Sequence, residues 1–167
     1  MSLRMGPATR QARRVDVSIV TDGHWPDETD ALLRALPEWF GIEESVCAYV
    51  NAARTLPTVA ARVDGQFVGV CLVRRHTPVA AEIELLAVRR DLHRAGIGQR
   101  LVGRAVADLT ASGVRLLQVK TLGPSGESEE YARTRAFYEA IGFLPLEERT
   151  DIWGPANPCL FMVKPLP

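Results

Sequence analysis

The sequence predicts an α/β (α+β) fold with one mixed, mostly antiparallel central sheet flanked by helices, and three features carry that expectation. Apolar runs at residues 58–63 and 66–74 flank Asp64-Gly65, a dipeptide favoured in two-residue hairpins because type I′ geometry needs positive φ at both central positions. The apolar run 80–88 passes through a glycine-punctuated turn into the amphipathic stretch 96–112. The strand-like run 114–122 then follows and should return parallel to 80–88 through a right-handed crossover. Helical and strand segments alternate along the chain with no internal repeat or low-complexity tract.

Each element has a local reason. Residues 15–20 alternate as a first strand. Pro26-Asp27-Glu28 opens a helix toward Leu36, and Pro37 stops it. Trp39-Phe40-Gly41 makes a turn, and residues 43–53 form a second helix on the spacing of Val46, Tyr49, Val50 and Ala53. The 58–63 and 66–74 hairpin and the 80–88 strand form an antiparallel meander. Gly113 sits where the C-cap of the 96–112 helix belongs. After the loop 123–128 comes a helix over 129–141, and strands over 148–153 and 159–163 close the sheet.

Composition narrows the function classes. A chain of 167 residues with 47% hydrophobic and 24% charged content suits one globular domain, expected over 15–167 behind a disordered extension at 1–14. The 20 basic and 20 acidic residues balance, so nothing global draws the protein to nucleic acid or an anionic membrane. No apolar run approaches the roughly 20 residues that span a bilayer, and the start lacks the apolar core of a signal peptide. A cytoplasmic address is expected. Cys47, Cys71 and Cys159 form no Cys-x-x-Cys pair and are odd in number, which argues against a disulfide framework or a zinc site; no metal is expected.

The chemistry concentrates after the 80–88 strand, where the chain reads Arg89-Arg90-Asp91-Leu92-His93-Arg94-Ala95-Gly96-Ile97-Gly98-Gln99. A helix N-terminus leaves backbone N–H groups unpaired and carries the positive end of the helix dipole, so it accepts a phosphate or pyrophosphate. Gly96 and Gly98 remove Cβ atoms where a phosphate approaches the backbone. The chain has no Gly-Lys-Ser or Gly-Lys-Thr, and the third glycine of the dinucleotide fingerprint would fall at Leu101. A pyrophosphate-bearing cofactor of another kind is left.

The frame His93-Arg94-Ala95-Gly96-Ile97-Gly98 resembles the acetyl-CoA signature of the GNAT superfamily of acyl-CoA-dependent N-acyltransferases, with His93 where the family more often has Gln or Arg. Thr134-Arg135-Ala136-Phe137-Tyr138-Glu139-Ala140-Ile141-Gly142-Phe143 is similar to the family's late helix, with its Phe-Tyr pair and closing Gly-Phe. The two motifs follow in the family's order. The resemblance implies acetyl-CoA as cosubstrate and an amine as acceptor. It implies cofactor contacts from Leu86, Ala87 and Val88, from His93 through Gln99, and from Phe137. Backbone N–H groups near Leu86 and Val88 are the implied partners of the pantetheine arm and the thioester carbonyl.

Transfer requires a neutral amine, donors for an oxyanion and a proton for the departing thiolate. Tyr138 is the implied acid, since a phenol of pKa about 10 can return a proton to a thiolate of about 8.5. Glu82 and Glu84 share one face of an alternating strand, and either can be the base that the resemblance implies; a solvated face is the competing reading. No covalent nucleophile stands out, because Cys71 lies in an apolar strand and the three histidines suggest no triad. His24 and His76 are read as surface or turn residues. Direct transfer of an acetyl group to an amine is the expected reaction. A catalytically silent acyl-CoA-binding sensor is the alternative, and a partner-binding domain that keeps only the fold is a third. The residues leave the acceptor and the oligomeric state open, a homodimer included.

Overall fold

A computed structural model of the chain describes residues 16–167. The expected N-terminal extension lies outside the described residues. The chain runs β1 (Val17–Val20), α1 (Pro26–Arg34), α2 (Glu43–Ala52), β2 (Thr58–Val63), β3 (Gln66–Thr77), β4 (Ala80–Val88), α3 (Ile97–Ala111), β5 (Leu116–Leu122), α4 (Glu129–Ala140), β6 (Leu144–Arg149) and β7 (Cys159–Pro165), with a 3-10 turn at Arg90–Leu92. Seven strands form one sheet in the order β1-β2-β3-β4-β5-β7-β6. Among the described strands only β4 and β5 pair in parallel, joined by the α3 crossover. The remaining pairs are antiparallel.

Local chemistry sets the boundaries. Asp64 at φ 49° and Gly65 at φ 80° make the expected left-handed pair of the β2–β3 hairpin. Pro26 and the acidic pair Asp27 and Glu28 occupy the first turn of α1, where a missing N–H costs nothing and negative charge suits the dipole. Ser128 caps α4 by accepting from the Tyr131 N–H.

Two apolar clusters sandwich the sheet. One packs α3 and α4 against it, through Leu101, Val102, Tyr138 and Phe143 over Cys71, Ile83, Leu117 and Met162. The other packs α1 and α2 through Leu33, Leu36 and Val46 over Val70, Leu72, Leu85 and Ala87. The second pair of helices covers the N-terminal half of the sheet. On the β5–β7–β6 side of that face the strands stay open, with Leu116, Leu144 and Leu146 exposed.

The last hairpin departs from expectation. The predicted strand over 148–153 begins and ends earlier, at Leu144–Arg149. Gly142 at φ 94° turns the chain straight out of α4 into β6, and residues 150–153 form bends in the β6–β7 loop, so the apolar Ile152 and Trp153 belong to a loop. Every residue of β6 is exposed. An edge strand with one partner needs little apolar alternation, and its sequence carried little.

Candidate functional site

The site begins as a gap in the sheet. β4 and β5 pair from Ala80 with Leu116 to Ile83 with Val119 and no further, although both strands continue. Beyond that seam the strands diverge into a cleft. On its β4 side, the Arg89 N–H donates to Val68 O across the Val88–Gly69 pair at 2.8 Å. Val88 therefore belongs to a pair that exchanges no bonds, and its N–H and C=O point away from β3, toward the cleft; Leu86 shares that orientation by alternation. Ala87 alternates toward β3, and its side chain packs under α1 and α2.

A bulge lies at the seam. Leu72 pairs with Leu85 and Val73 with Ile83, leaving Glu84 as the extra residue of β4. Ile83 and Leu85 consequently face opposite cores. The bulge interrupts the simple alternation behind the expectation that Glu82 and Glu84 share a face, yet the two carboxylates do lie on one side of the sheet, because Arg74, the cross-strand partner of Glu82, also holds Glu84. Arg74 still draws the Glu84 carboxylate toward Glu82, donating to Glu84 through Nε at 2.8 Å and Nη2 at 3.1 Å.

At the far end of the cleft stands the glycine turn. Gly96 caps α3 with φ 78°, a conformation that strains any residue bearing a Cβ, and the space around it is open. The Arg100 N–H is the first to bond back to the cap, at 3.1 Å to Gly96 O, so the N–H groups of Ile97, Gly98 and Gln99 form the unpaired first turn. Gly98 also meets a packing requirement. A Cβ there would lie 3.2 Å from Phe137 Cζ and 3.9 Å from Val88 Cγ2, so this glycine lets α3, α4 and β4 converge.

His93, Arg94 and Ala95 make the turn before the helix, with Arg94 at φ 67°. His93 donates from Nε2 to Val88 O at 2.7 Å, and its ring meets Trp39 edge-on at 5.5 Å between centroids.

The α4 wall carries Phe137 and Tyr138. Tyr138 is 4% exposed, with its ring edge-on to Phe137 and Phe143, each at 5.3 Å. Burial raises its phenol above the ordinary range, and Cys71, Tyr49 and Tyr131 add to the effect. Among the described residues no hydrogen bond engages its hydroxyl. Arg135 donates to Leu122 O at 2.8 Å and ties α4 to the end of β5. Tyr131 donates to Trp39 O at 3.0 Å, and Trp39 Nε1 donates to Thr134 Oγ1 at 3.3 Å, so the α1–α2 loop is strapped to α4.

Glu82 lies at the seam on the open face, 5% exposed. His76 Nε2 at 2.7 Å, Gln118 Nε2 at 2.9 Å and Lys120 Nζ at 3.0 Å surround its carboxylate. Burial alone would raise its pKa, but the bonds from Gln118, His76 and Lys120 outweigh burial and hold it below the usual carboxylate range. The Tyr49 phenol of α2 is pushed up to about 12 by burial first and then by Tyr131, Glu84 and Glu82, which places these groups within electrostatic reach of one another. A depression of about 410 Å³ continues this face past His76 and Gln118 toward Leu146 and Phe161. A larger one of about 550 Å³, between Asp30, Cys47 and Arg54, lies on the outer side of α1 and α2, away from the cleft.

The fold thus brings Leu86, Val88, His93, Gly96, Gly98 and Phe137 together beside the unpaired end of β4, sets Glu82 and Glu84 at the seam, and buries Tyr138 in the core next to Phe137. Cys71 is fully buried, with its thiol pushed up to about 12 by burial, which leaves it inert. Arg74, Gln118 and Lys120 escaped the sequence reading, and His76, read there as a surface or turn residue, is a partly exposed member of β3 that meets Glu82. Their signal was present, since Gln118-x-Lys120 is the same-face pair of a strand expected to lie parallel to Glu82.

A sequence profile described as an acetyltransferase (GNAT) domain matches residues 31–145. An uncharacterized N-acetyltransferase of Chlorobaculum tepidum is 33% identical over 98 residues, 57% of this chain and 56% of that protein, so the match spans little more than half of the relative's length. A crystal structure from Desulfovibrio desulfuricans, assigned to the GNAT acetyltransferases, superposes with TM-score 0.74 at 20% identity, covering 90% of this chain and 99% of the other. A GNAT acetyltransferase from Elizabethkingia anophelis, solved with acetyl-CoA bound, superposes with TM-score 0.67 at 16% identity over 93% of this chain and 100% of that one. At these identities the likeness of structure is one of fold.

Proposed function

The chain belongs to the acetyltransferase (GNAT) domain family, and from that premise we propose that it transfers an acetyl group from acetyl-CoA directly to an amine. One observation carries the reading: the seam between β4 and β5 ends at Ile83 and Val119, and beyond it the Leu86 backbone groups and the Val88 N–H face away from β3, between a helix start and a buried phenol, with the Val88 carbonyl already held by His93. The cleft fits such a ligand chemically. Backbone donors and acceptors suit the amides of a pantetheine arm, and the unpaired first turn of α3 suits a pyrophosphate. The acetyl-CoA in the Elizabethkingia anophelis structure supports the same assignment.

Acetyl-CoA supplies an activated acyl group as a thioester. The chain's residues do the rest. Leu86 and Val88 align the arm along the free edge of β4, and an N–H of this edge donates to the developing oxyanion. Ile97, Gly98 and Gln99 N–H groups hold the pyrophosphate, with His93, Arg94 and Ala95 shaping the turn and Phe137 closing its floor. Tyr138, kept protonated by burial, gives its proton to the leaving sulfur. The acceptor enters from the open face and meets the carboxylates. Glu82 is the anion toward which its proton is drawn, and Glu84, occupied by Arg74, orients the approach.

Calorimetric titration with acetyl-CoA, with NADH and ATP as competitors, tests the cleft. Micromolar binding of acetyl-CoA with no response to the other two is the expected result, and absence of binding overturns it. Thiol release over a panel of primary amines and peptides then tests transfer. Tight binding with no release from any amine would favour an acyl-CoA-binding module over an enzyme.

A further inference from the structure

Among the chain's 20 lysine and arginine residues only two are lysines, Lys120 and Lys164. Lys164 is structural: its Nζ donates to Ile141 O at 2.8 Å and fastens β7 to the end of α4. Lys120 stands at the site. It follows Val119, the last residue of β5 to pair with β4, and so occupies the vertex where the two strands part. Its Nζ lies 3.0 Å from one Glu82 carboxylate oxygen and 3.2 Å from the other, and 5.7 Å from the centroid of the Phe161 ring. The side chain is 30% exposed, so it opens onto the same face an external amine must use. The sequence therefore places a primary amine beside the carboxylate that draws a proton, at the mouth of the acyl cleft.

We propose that Lys120 is an internal acceptor: when no external amine occupies the open face, its ε-amine takes the acetyl group of bound acetyl-CoA and becomes Nε-acetyl-lysine. The inference rests on the reading of the β4–β5 cleft as the acetyl-CoA site. In the step, the Lys120 ammonium first loses one proton to solvent, and the freed lone pair attacks the thioester carbonyl. The C–N bond forms and the C–S bond breaks. The departing thiolate takes the Tyr138 proton, Tyr138 is reprotonated from solvent, and the acylated nitrogen, now far more acidic, releases its extra proton past Glu82 to solvent. The sum is an acetamide, coenzyme A and one proton. An amide does not pass its acetyl group on, so the product is a lasting mark rather than a transfer intermediate. It also removes the Lys120 positive charge beside Glu82, whose carboxylate keeps its contacts with His76 and Gln118.

The test needs only the full chain and acetyl-CoA without added amine, followed by intact mass and peptide mapping. The expected result is one acetyl group per chain, on Lys120, formed at a rate per molecule that does not change with protein concentration. Lys120→Arg, which keeps the charge facing Glu82, should bind acetyl-CoA and gain no acetyl group. An acetyl group on Lys164 or the N-terminal amine in place of Lys120, equal labelling of the heat-unfolded chain, or a rate that scales with protein concentration would each overturn the proposal. So would an unmodified chain that calorimetry shows to bind acetyl-CoA, and this outcome leaves the cleft reading intact. Absence of binding removes the cleft reading and this inference together. If Lys120→Arg fails to fold, mapping of the unaltered chain decides alone.

Discussion

Glu82 and Tyr138 are driven in opposite directions by their surroundings. Glu82 is buried but surrounded by donors, which hold it ionised; Tyr138 is buried among aromatic rings, which hold it protonated. Two groups with proton affinities pushed apart is the arrangement expected of a base and an acid sharing a site. Tyr138→Phe should lower kcat by about 10²-fold, within the usual yield of general acid catalysis, and leave the acetyl-CoA Kd unchanged, since the apolar surroundings accept a phenyl ring; steady-state kinetics beside calorimetry checks this. The lowered Glu82 pKa also has a sign for stability. Its contribution is complete above the ordinary value of 4.5 and is lost as pH falls through the lower folded value. Glu82→Gln should therefore melt at a temperature less sensitive to acid than the unaltered chain, with the difference confined to pH below 4.5. Thermal melts across that range read it directly.

At the scale of elements, the glycine turn and the bulge place these groups. Gly96 is needed for its dihedral angle and Gly98 for the space it leaves to Phe137. Gly96→Ala should cost about 1 kcal/mol of stability, read as a lower melting temperature. Gly98→Ala instead forces Phe137 and the floor of the cleft to move, and should weaken acetyl-CoA binding by about tenfold or more if the strain of overpacking falls on the bound state; calorimetry distinguishes the two variants. The turn was legible in the sequence because glycine, charge and helix onset coincide within a few residues. The bulge was not. Glu82-Ile83-Glu84-Leu85 alternates perfectly, and nothing local records that β3 supplies one residue fewer at Leu72–Val73. Registers of this kind depend on two strands at once.

For the whole molecule, the sheet is two plates joined at a short seam. Ligand that enters the cleft binds only the folded chain, so acetyl-CoA at about 100 times its Kd should add ~2.7 kcal/mol of stability and raise the melting temperature by about 5–10 °C, whereas NADH and ATP should not. A thermal shift series at rising ligand concentration tests this without any acceptor. The order of elements was readable throughout, because helices and strands announced themselves by period and by punctuation. The sixth strand was the exception, since an exposed edge leaves the residues of β6 free of the alternation that marked the others, while Trp153 and Ile152 imitated it in a loop.

The seam between β4 and β5 bears on how the chain reaches this shape as well as on what it holds. β2, β3 and β4 pair with their sequence neighbours through tight hairpins, while β1 reaches β2 across α1 and α2. β5 must first close the α3 crossover, and β7 pairs with it only after α4 and β6 have been spanned. Loop closure of that length precedes any reward from contact and slows folding. The four residue pairs from Ala80 with Leu116 to Ile83 with Val119 are the whole strand-to-strand connection between an early-forming meander and a late-docking half. A destabilising change at Leu117, fully buried beneath that connection, should therefore fall on the rate of folding more heavily than an equal loss within the β2–β3 hairpin.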